Sequence, residues 1–257
     1  MVIFVYKPVY NDPYKFMTNG SFWYIFEYFL KTYELDKRTK FIFVSNKKFD
    51  LNSLKEYLDF KYIIDIPCEN IIILNYYELI NYVKLISTVV LDIETYSDEY
   101  IEKILMDKYI CLLYTSNFSK LMKDRYYKKN IFHFNEDEKY IKKIYFDILK
   151  VPERIDEGVY VNLSGKRVVS IEQFNEKIKP VLNKINKRKL ILVSDINSLF
   201  SKYLDYIGIN TFDRILYDIQ YQFDTYVDCA LNVFDYSPRM ILESHYFGKD
   251  VIYIDNG

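Results

Sequence analysis

Short apolar runs alternate with amphipathic stretches along the first half of the chain. The runs are apolar at successive positions and lie at 2–6, 40–45, 70–74, 87–93, 109–115 and 130–134. Continuous apolar strands are typical of parallel sheets that helices cover on both faces. Between the runs, apolar residues recur at helical spacing in the stretches 21–35, 50–60, 76–85 and 136–149. The pattern predicts an α/β domain over residues 1–150.

The same alternation restarts after VPERIDEG (151–158), a linker candidate with a proline, a glycine and four charges. The predicted strands of this half lie at 159–163, 189–194, 214–217, 229–234 and 250–254. Its predicted helices lie at 170–185, near 197–207 and at 238–247. We therefore predict a second Rossmann-like βα domain over 151–257 and a cleft between the two domains. Ligands of such sheets bind beyond the carboxyl ends of the strands.

Composition and charge limit the classes of function. Half of the 257 residues are apolar and 28% are charged, which is a globular balance. No apolar run approaches the roughly 18 to 20 residues of a membrane helix, and the first residues lack the features of a signal peptide. We expect a cytoplasmic protein without a membrane partner. The net charge of −1 argues against a strongly basic nucleic-acid-binding surface but not against a local groove in the basic stretches 120–130 and 183–189. The alternative for these stretches is a solvated face.

The cysteines and histidines do not form a metal-binding pattern. Cys68, Cys111 and Cys229 are far apart and show no CxxC spacing, so we predict neither a disulfide framework nor a zinc site. His133 and His245 stand alone. We expect no metal and no bound cofactor.

The closing stretch FDYSPRMILESHYFGKDVIYIDNG (234–257) contains the most specific candidate chemistry. The predicted strand 229–234 places Asp235 at its carboxyl end. Ser237 is a good N-cap for the next helix, whose free N–H groups favour a phosphate. Arg239 lies in the first turn, where a cation is unfavourable unless an anion compensates it. Glu243 follows one turn later; the alternative is an ordinary strand–helix–strand unit.

The pattern D-x7-E from Asp235 to Glu243, followed by HYFGKDVIY, resembles the donor-site signature of GT-B glycosyltransferases. The resemblance covers about 24 residues, and the paired βα domains agree with the architecture of that family. It implies that Glu243 binds the ribose of a nucleotide sugar such as a UDP-sugar. It also implies that Asp235 lies near the sugar, although Glu is more usual there. Enzymes of this kind need no catalytic metal.

Two other stretches resemble donor-binding loops of the same family. Lys166 and Arg167, in NLSGKRVV (162–169), match a loop whose basic residue meets the donor diphosphate. Gly20 and Ser21, in TNGSFW, resemble the glycine turn that faces the donor phosphates or the acceptor. An ordinary turn and a simple helix start are the respective alternatives.

Asp92 and Glu94 are the candidate general bases. VVLDIETY (89–96) places both acids at the carboxyl end of a predicted strand. An inverting transferase needs one carboxylate there to accept the proton of the acceptor hydroxyl. The alternative is that the two acids only end the strand.

The resemblance implies a glycosyltransferase that moves a sugar from a nucleotide sugar to a hydroxyl. The abundance of Tyr, Phe, Ile, Asn and Lys is typical of AT-rich phage or bacterial genes, and phage enzymes of this fold glycosylate hydroxymethylated DNA bases. DNA is thus one implied acceptor, and a saccharide or lipid-linked acceptor is another. GT-B chains usually continue beyond the last predicted strand, so the C-terminal domain is expected to be short. The competing hypothesis is a non-catalytic nucleotide- or partner-binding protein on a truncated GT-B fold.

Overall fold

The computed structural model describes residues 1–8, 16–17, 20–115, 130–136, 150, 158–163, 170–185, 189–193, 207–209, 223–231 and 239–254. The chain divides into two compact units, Met1–Leu149 and Lys150–Gly257. Each unit has its own sheet.

The first unit is built on a six-stranded parallel sheet. Its strands are β1 Val2–Tyr6, β2 Lys40–Val44, β3 Ile71–Leu74, β4 Thr88–Asp92, β5 Tyr109–Thr115 and β6 Ile131–Glu136. They are ordered β3-β2-β1-β4-β5-β6, and every neighbouring pair is parallel. This is a doubly wound order that reverses direction between β1 and β4. In such sheets the ligand crevice lies at that switch point, beyond the carboxyl ends of the strands.

Helices follow the first four strands of this sheet. They are α1 Gly20–Leu35, α2 Leu51–Lys61, α3 Tyr76–Tyr82, α4 Ile93–Tyr96 and α5 Glu99–Ile104. The Asp50 side chain caps α2, and Asn75 forms a capping box with Glu78 at the start of α3. Helices α4 and α5 were not predicted, because each is too short to show a helical period.

Aromatic side chains hold α1 against β1 and β2. The Phe26 and Phe41 rings lie 5.2 Å apart, and the Phe4 and Phe29 rings 5.9 Å apart, both in edge-on geometry. Trp23 is buried, and its indole N–H donates to the Met17 carbonyl at 2.8 Å. Rings of this size bury much apolar surface and favour edge-to-face contacts. The many aromatic residues therefore have a packing role in this unit.

The second unit repeats the topology with five parallel strands. These are β7 Gly158–Asn162, β8 Lys189–Val193, β9 Ile207–Ile209, β10 Thr225–Cys229 and β11 Asp250–Ile254. Their order is β11-β10-β7-β8-β9, so the switch point lies between β7 and β10. The described helical segments are α6 Ile171–Gln173, a π-helical turn Phe174–Ile178, α7 Lys179–Lys184 and α8 Arg239–Tyr246.

Each face of this second sheet packs against a different helix. Val161 and Val227 point to the face covered by Phe174 of the π-helical turn. Tyr226 points to the opposite face, where Met240 of α8 packs. Helix α8 and the Tyr226 side chain therefore share one side of the sheet.

The predicted fold class is confirmed: the chain is α/β, with two Rossmann-like units. One predicted element was wrong. The strand expected at 229–234 is Thr225–Cys229, because Asp228 interrupts the apolar pattern there and the following residues are more apolar. Of the helix expected near 197–207, only Ile207 is described, and it is the first residue of β9.

Several predictions fall outside the described residues. These are the helix over 137–149, the linker over 151–157, the strand at 214–217 and the rest of the helix near 197–207. Within the part of the chain that is described, every helix is too short or too polar to cross a membrane.

Candidate functional site

Four side chains meet beyond the carboxyl ends of β1, β3 and β4, at the switch point of the first unit. Lys7 directly follows β1, and its backbone N–H donates to Oγ1 of Thr95 in α4 at 2.9 Å. The Lys7 ammonium donates to Oδ2 of Asp98, and the Tyr76 hydroxyl donates to the same oxygen at 3.1 Å. Asp98 is also the N-cap of α5. We call Lys7, Tyr76, Thr95 and Asp98 the Lys7 cluster.

Within the Lys7 cluster, Lys7 and Asp98 form an ion pair. Burial alone would lower the pKa of Lys7, but its hydrogen bonds to Asp98 and Tyr76 outweigh burial and raise that pKa. Burial alone would raise the pKa of Asp98, but the hydrogen bonds from Lys7, the Ile101 N–H and Tyr76, together with the charge of Lys7, outweigh burial and lower that pKa. Burial raises the pKa of Tyr76, which keeps its hydroxyl protonated as a donor. At neutral pH the cluster thus presents an ammonium and a carboxylate, with 39% and 11% of the two side chains exposed.

The two candidate bases, Asp92 and Glu94, both lie near the carboxyl end of β4 but in different environments. Asp92 is the last residue of β4, is buried, and caps α4 by accepting the Thr95 N–H at 3.2 Å. Glu94 lies inside α4 and is exposed. Only Asp92 therefore stands at the carboxyl end of the strand itself. Its contact with Thr95 places it next to the Lys7 cluster.

Gly20 and Ser21 are the first residues of α1, so both lie at the start of a helix. The preceding residues 18–19 lie outside the described part of the chain.

A buried hydrogen-bonded chain marks the switch point of the second unit. Asn162, the last residue of β7, pairs in register with Asp228 of β10. The Asn162 amide donates to the Tyr226 hydroxyl at 3.0 Å, and that hydroxyl donates to Oδ2 of Asp228 at 2.8 Å. All three residues are at most 4% exposed. We call them the Tyr226 network; because polar groups are rarely buried without hydrogen bonds, the network fixes the ends of both central strands.

Helix α8 places Glu243 inside the second unit. Glu243 and Ser244 are fully buried, whereas His245 is exposed. The helix ends as predicted at Gly248, whose φ of +67° lies in the left-handed region. The Lys249 N–H donates back to the Ser244 carbonyl at 2.9 Å and closes the last turn. Glu243 is therefore held at a fixed place and does not project into solvent.

The remaining predicted donor residues cannot be placed. Asp235, Ser237, Lys166 and Arg167 lie outside the described residues, and Arg239 is described only by its backbone, as the first residue of α8. The strand that was expected to end just before Asp235 ends at Cys229, six residues earlier in the chain.

Sequence reasoning missed both polar clusters. Lys7 and Asn162 are each the first polar residue at the carboxyl end of an apolar strand, which is the signal that could have found them. Asp228 instead interrupts an apolar run. Within the described residues, no group of three or more His, Cys, Asp or Glu side chains could hold a metal ion. The three cysteines are free, and burial raises the pKa of the Cys68 and Cys111 thiols. Neither thiol is thereby activated as a nucleophile.

Comparison with known proteins identifies the fold. No protein-family model matches the chain, and no curated protein matches it significantly. Among solved structures, it is similar to a protein assigned as a UDP-N-acetylglucosamine 2-epimerase from Listeria monocytogenes. The TM-score is 0.54 at 9% identity, and the match covers 97% of this chain and 77% of that one. At this identity, the likeness shows the fold alone.

Two further structures are more distant. A glycosyltransferase from Rickettsia africae is 14% identical, with a TM-score of 0.49 and coverage of 98% and 78% of the two chains. UGT71G1 from Medicago truncatula, solved in complex with UDP-glucose, is 11% identical, with a TM-score of 0.43 and coverage of 98% and 79%. We rest the fold assignment on the first structure, because both of these scores lie below 0.5.

Proposed function

We propose that this protein binds a nucleotide sugar and transfers its sugar to a hydroxyl acceptor. The observation that carries the proposal is the place of Glu243 on α8, the helix that follows the switch-point strand β10. Ligands of such sheets bind beyond the carboxyl ends of the strands at the switch point. In the D-x7-E pattern, the same residue is the one that would bind ribose.

The donor roles follow from the order of elements. Glu243 would accept hydrogen bonds from the two ribose hydroxyls. The start of α8, with Ser237 and Arg239, would hold the diphosphate, because helix N-termini and basic groups stabilise a leaving anion without a metal. Asp235 would lie near the sugar.

Additional phosphate contacts would come from Lys166 and Arg167 in the second unit and from the Gly20–Ser21 start of α1 in the first. These are predictions from the resemblance. Charge-assisted hydrogen bonds of this kind are the strong ones in phosphate recognition.

The acceptor side would use a carboxylate of the first unit as general base. Asp92 and Glu94 are the candidates, and Asp92 lies at the strand end beside the Lys7 cluster. Hydroxymethylated phage DNA, a saccharide and a lipid-linked sugar are acceptors that a transferase of this kind could use. The cytoplasmic location stays a prediction.

UDP is the nucleotide we expect, and a second candidate activity follows from the structure with the TM-score of 0.54. That structure is assigned as a UDP-N-acetylglucosamine 2-epimerase, which supports both points. Epimerisation of a UDP-sugar is therefore the alternative enzymatic function, and nucleotide binding without catalysis is the non-enzymatic one.

The test is a panel of UDP-, GDP-, ADP- and dTDP-sugars added to the full chain. A ligand present at 100 times its dissociation constant stabilises the folded state by about 2.7 kcal/mol and raises the melting temperature. NMR of the stabilising sugar then distinguishes hydrolysis or transfer from epimerisation and from unaltered binding. A panel in which no nucleotide sugar raises the melting temperature would overturn the proposal.

A further inference from the structure

We propose that the Lys7 cluster and the neighbouring Tyr100 ring form a binding site for a neutral, hydroxyl-rich ligand, namely a sugar. The site lies at the switch point of the first unit, where the ends of β1 and β4 meet. The inference rests on the proposed function in one respect: the sugar bound at this site is taken to be the acceptor of the transfer. Of the acceptors that the sequence leaves open, the inference therefore selects a saccharide.

The polar half of the site is already fixed in position. Oδ1 of Asp98 accepts the backbone N–H groups of Tyr100 and Ile101 at 3.0 and 3.1 Å, and Oδ2 accepts from Tyr76 and Lys7. Four donors therefore hold this carboxylate, and it in turn holds the Lys7 ammonium. An ammonium has three N–H donors, so a partly exposed Lys7 still offers donors to a ligand hydroxyl. A site with fixed donors and acceptors loses little entropy when it binds.

The apolar half is an exposed aromatic surface beside these polar groups. Tyr100, in the first turn of α5, is 67% exposed, and its ring lies 5.6 Å from the ring of Tyr76. Tyr77, the next residue of α3, is 81% exposed. A sugar ring presents C–H groups on its faces and hydroxyls at its rim. Small-molecule sites typically combine aromatic surface with a few oriented polar groups, which is the combination found here.

Charge argues against a nucleic acid on the described part of this edge. The acids there outnumber the bases: Asp50, Glu78, Asp92, Glu94, Asp98, Glu99 and Glu102 stand against Lys7, Lys47, Lys48 and Lys103. Nucleic-acid affinity comes mainly from Lys and Arg that neutralise phosphates. A neutral polyol has no charge to be repelled by these carboxylates. The described residues therefore favour a saccharide over DNA.

The experiment measures binding of the full chain to methyl glycosides of neutral hexoses and N-acetylhexosamines by saturation-transfer NMR at 20 mM, a concentration chosen for weak sites. We expect at least one glycoside to bind, and Tyr100→Ala and Lys7→Met each to raise its Kd about 10-fold. Tyr109→Ala is the matched control, because Tyr109 is an exposed tyrosine at the amino end of β5. The site, in contrast, lies beyond the carboxyl ends of the strands. This control should leave the Kd unchanged.

A duplex containing hydroxymethylcytosine is titrated in parallel at 150 mM salt. The inference is overturned if no glycoside binds, if Tyr100→Ala leaves the Kd unchanged while the melting temperature shows a folded variant, or if the duplex binds and both variants weaken it. The nucleotide-sugar panel tests the proposed function independently. If the protein binds a nucleotide sugar but no glycoside, the saccharide site is contradicted and the proposed function stands. If it binds a glycoside but no nucleotide sugar, the saccharide site stands and the proposed function is contradicted.

Discussion

The Tyr226 hydroxyl donates a 2.8 Å hydrogen bond to Asp228, two residues along the same strand. The two side chains point to one face of the sheet because successive residues of a strand alternate between faces. An acidic side chain is thereby accommodated inside a fully buried strand.

Removing this hydroxyl should destabilise the second unit. Tyr226→Phe keeps the ring and leaves the buried Asp228 carboxylate with one donor fewer. We expect the free energy of unfolding to fall by about 1 to 3 kcal/mol, measured by urea denaturation. Tyr77→Phe, on an exposed tyrosine, should change it by less than about 0.5 kcal/mol. Equal stability of the two variants would show that the bond contributes nothing.

Replacing the buried acid of α8 should weaken donor binding. Glu243→Gln keeps the size of the side chain but exchanges a charged acceptor for a neutral one. Affinity for the stabilising nucleotide sugar should fall by about 1 to 2 kcal/mol, measured by calorimetry. Glu176→Gln, on an exposed acid of the π-helical turn, is the control and should bind normally. Unchanged affinity in a folded Glu243→Gln protein would remove this residue from the ribose site.

The general base should be revealed by turnover rather than by affinity. Asp92→Asn preserves an oxygen that can accept the Thr95 N–H, so α4 remains capped. If the transfer is inverting, loss of the base should slow it about 100- to 10,000-fold, in either Asp92→Asn or Glu94→Gln, with donor affinity unchanged. Normal turnover in both variants would leave the two acids with a structural role.

The Lys7–Asp98 pair should make stability depend on pH in a defined window. The pKa of Asp98 is lowered in the folded state, so its contribution is complete above the unfolded value of about 3.9 and is lost as pH falls through the folded value. The raised pKa of Lys7 gives a contribution that is lost only as pH rises beyond about 10.4.

Asp98→Asn should therefore be less stable than the parent by a constant amount between about pH 5 and pH 8. The difference should shrink as the pH falls below about 4. Urea midpoints at a series of pH values measure it, and Asp107→Asn, on an exposed acid, is the reference. A difference that stays constant into strong acid would contradict the pairing.

Replacing Gly248 by a residue with a side chain should destabilise the protein because of the backbone conformation at this position, and not because of steric clashes. Its φ is +67°, and a Cβ placed there would meet no atom within 4 Å. Gly248→Ala should cost about 1 to 2 kcal/mol from the left-handed conformation. Gly248→Asn should cost less, because Asn adopts this conformation more readily. Thermal denaturation compares the two, and an alanine variant as stable as the parent would exclude strain.

The sequence pattern located most strands because a short, continuous apolar run is typical of a strand that is buried on both faces. The pattern misplaced β10, because Asp228 interrupts the apolar run. The hydrogen bond from Tyr226 that allows Asp228 to be buried depends on three-dimensional geometry, which the pattern does not show. The Lys7 cluster could not be predicted at all. Lys7 and Asp98 are far apart in the chain, and they meet only because the sheet order places β1 beside β4.

The Glu243 region illustrates the opposite case. Its helix, the Ser-Pro start and the Gly248 stop are local features, and the sequence predicted the helix and its end to within one residue. Which way Glu243 points depends on packing of α8 against β10 and β11, which a local pattern does not determine.

The position of β1 in the middle of the first sheet also affects how the protein folds during its synthesis. Val2 pairs with Thr88, so one edge of β1 stays unpaired until β4 has been synthesised. At about 5 to 20 residues per second, this takes several seconds. During that time VIFVY is an apolar segment with an unpaired edge, which is a template for aggregation. We expect the yield of folded protein to depend on chaperones, and to improve when translation runs slowly only after β4 has emerged.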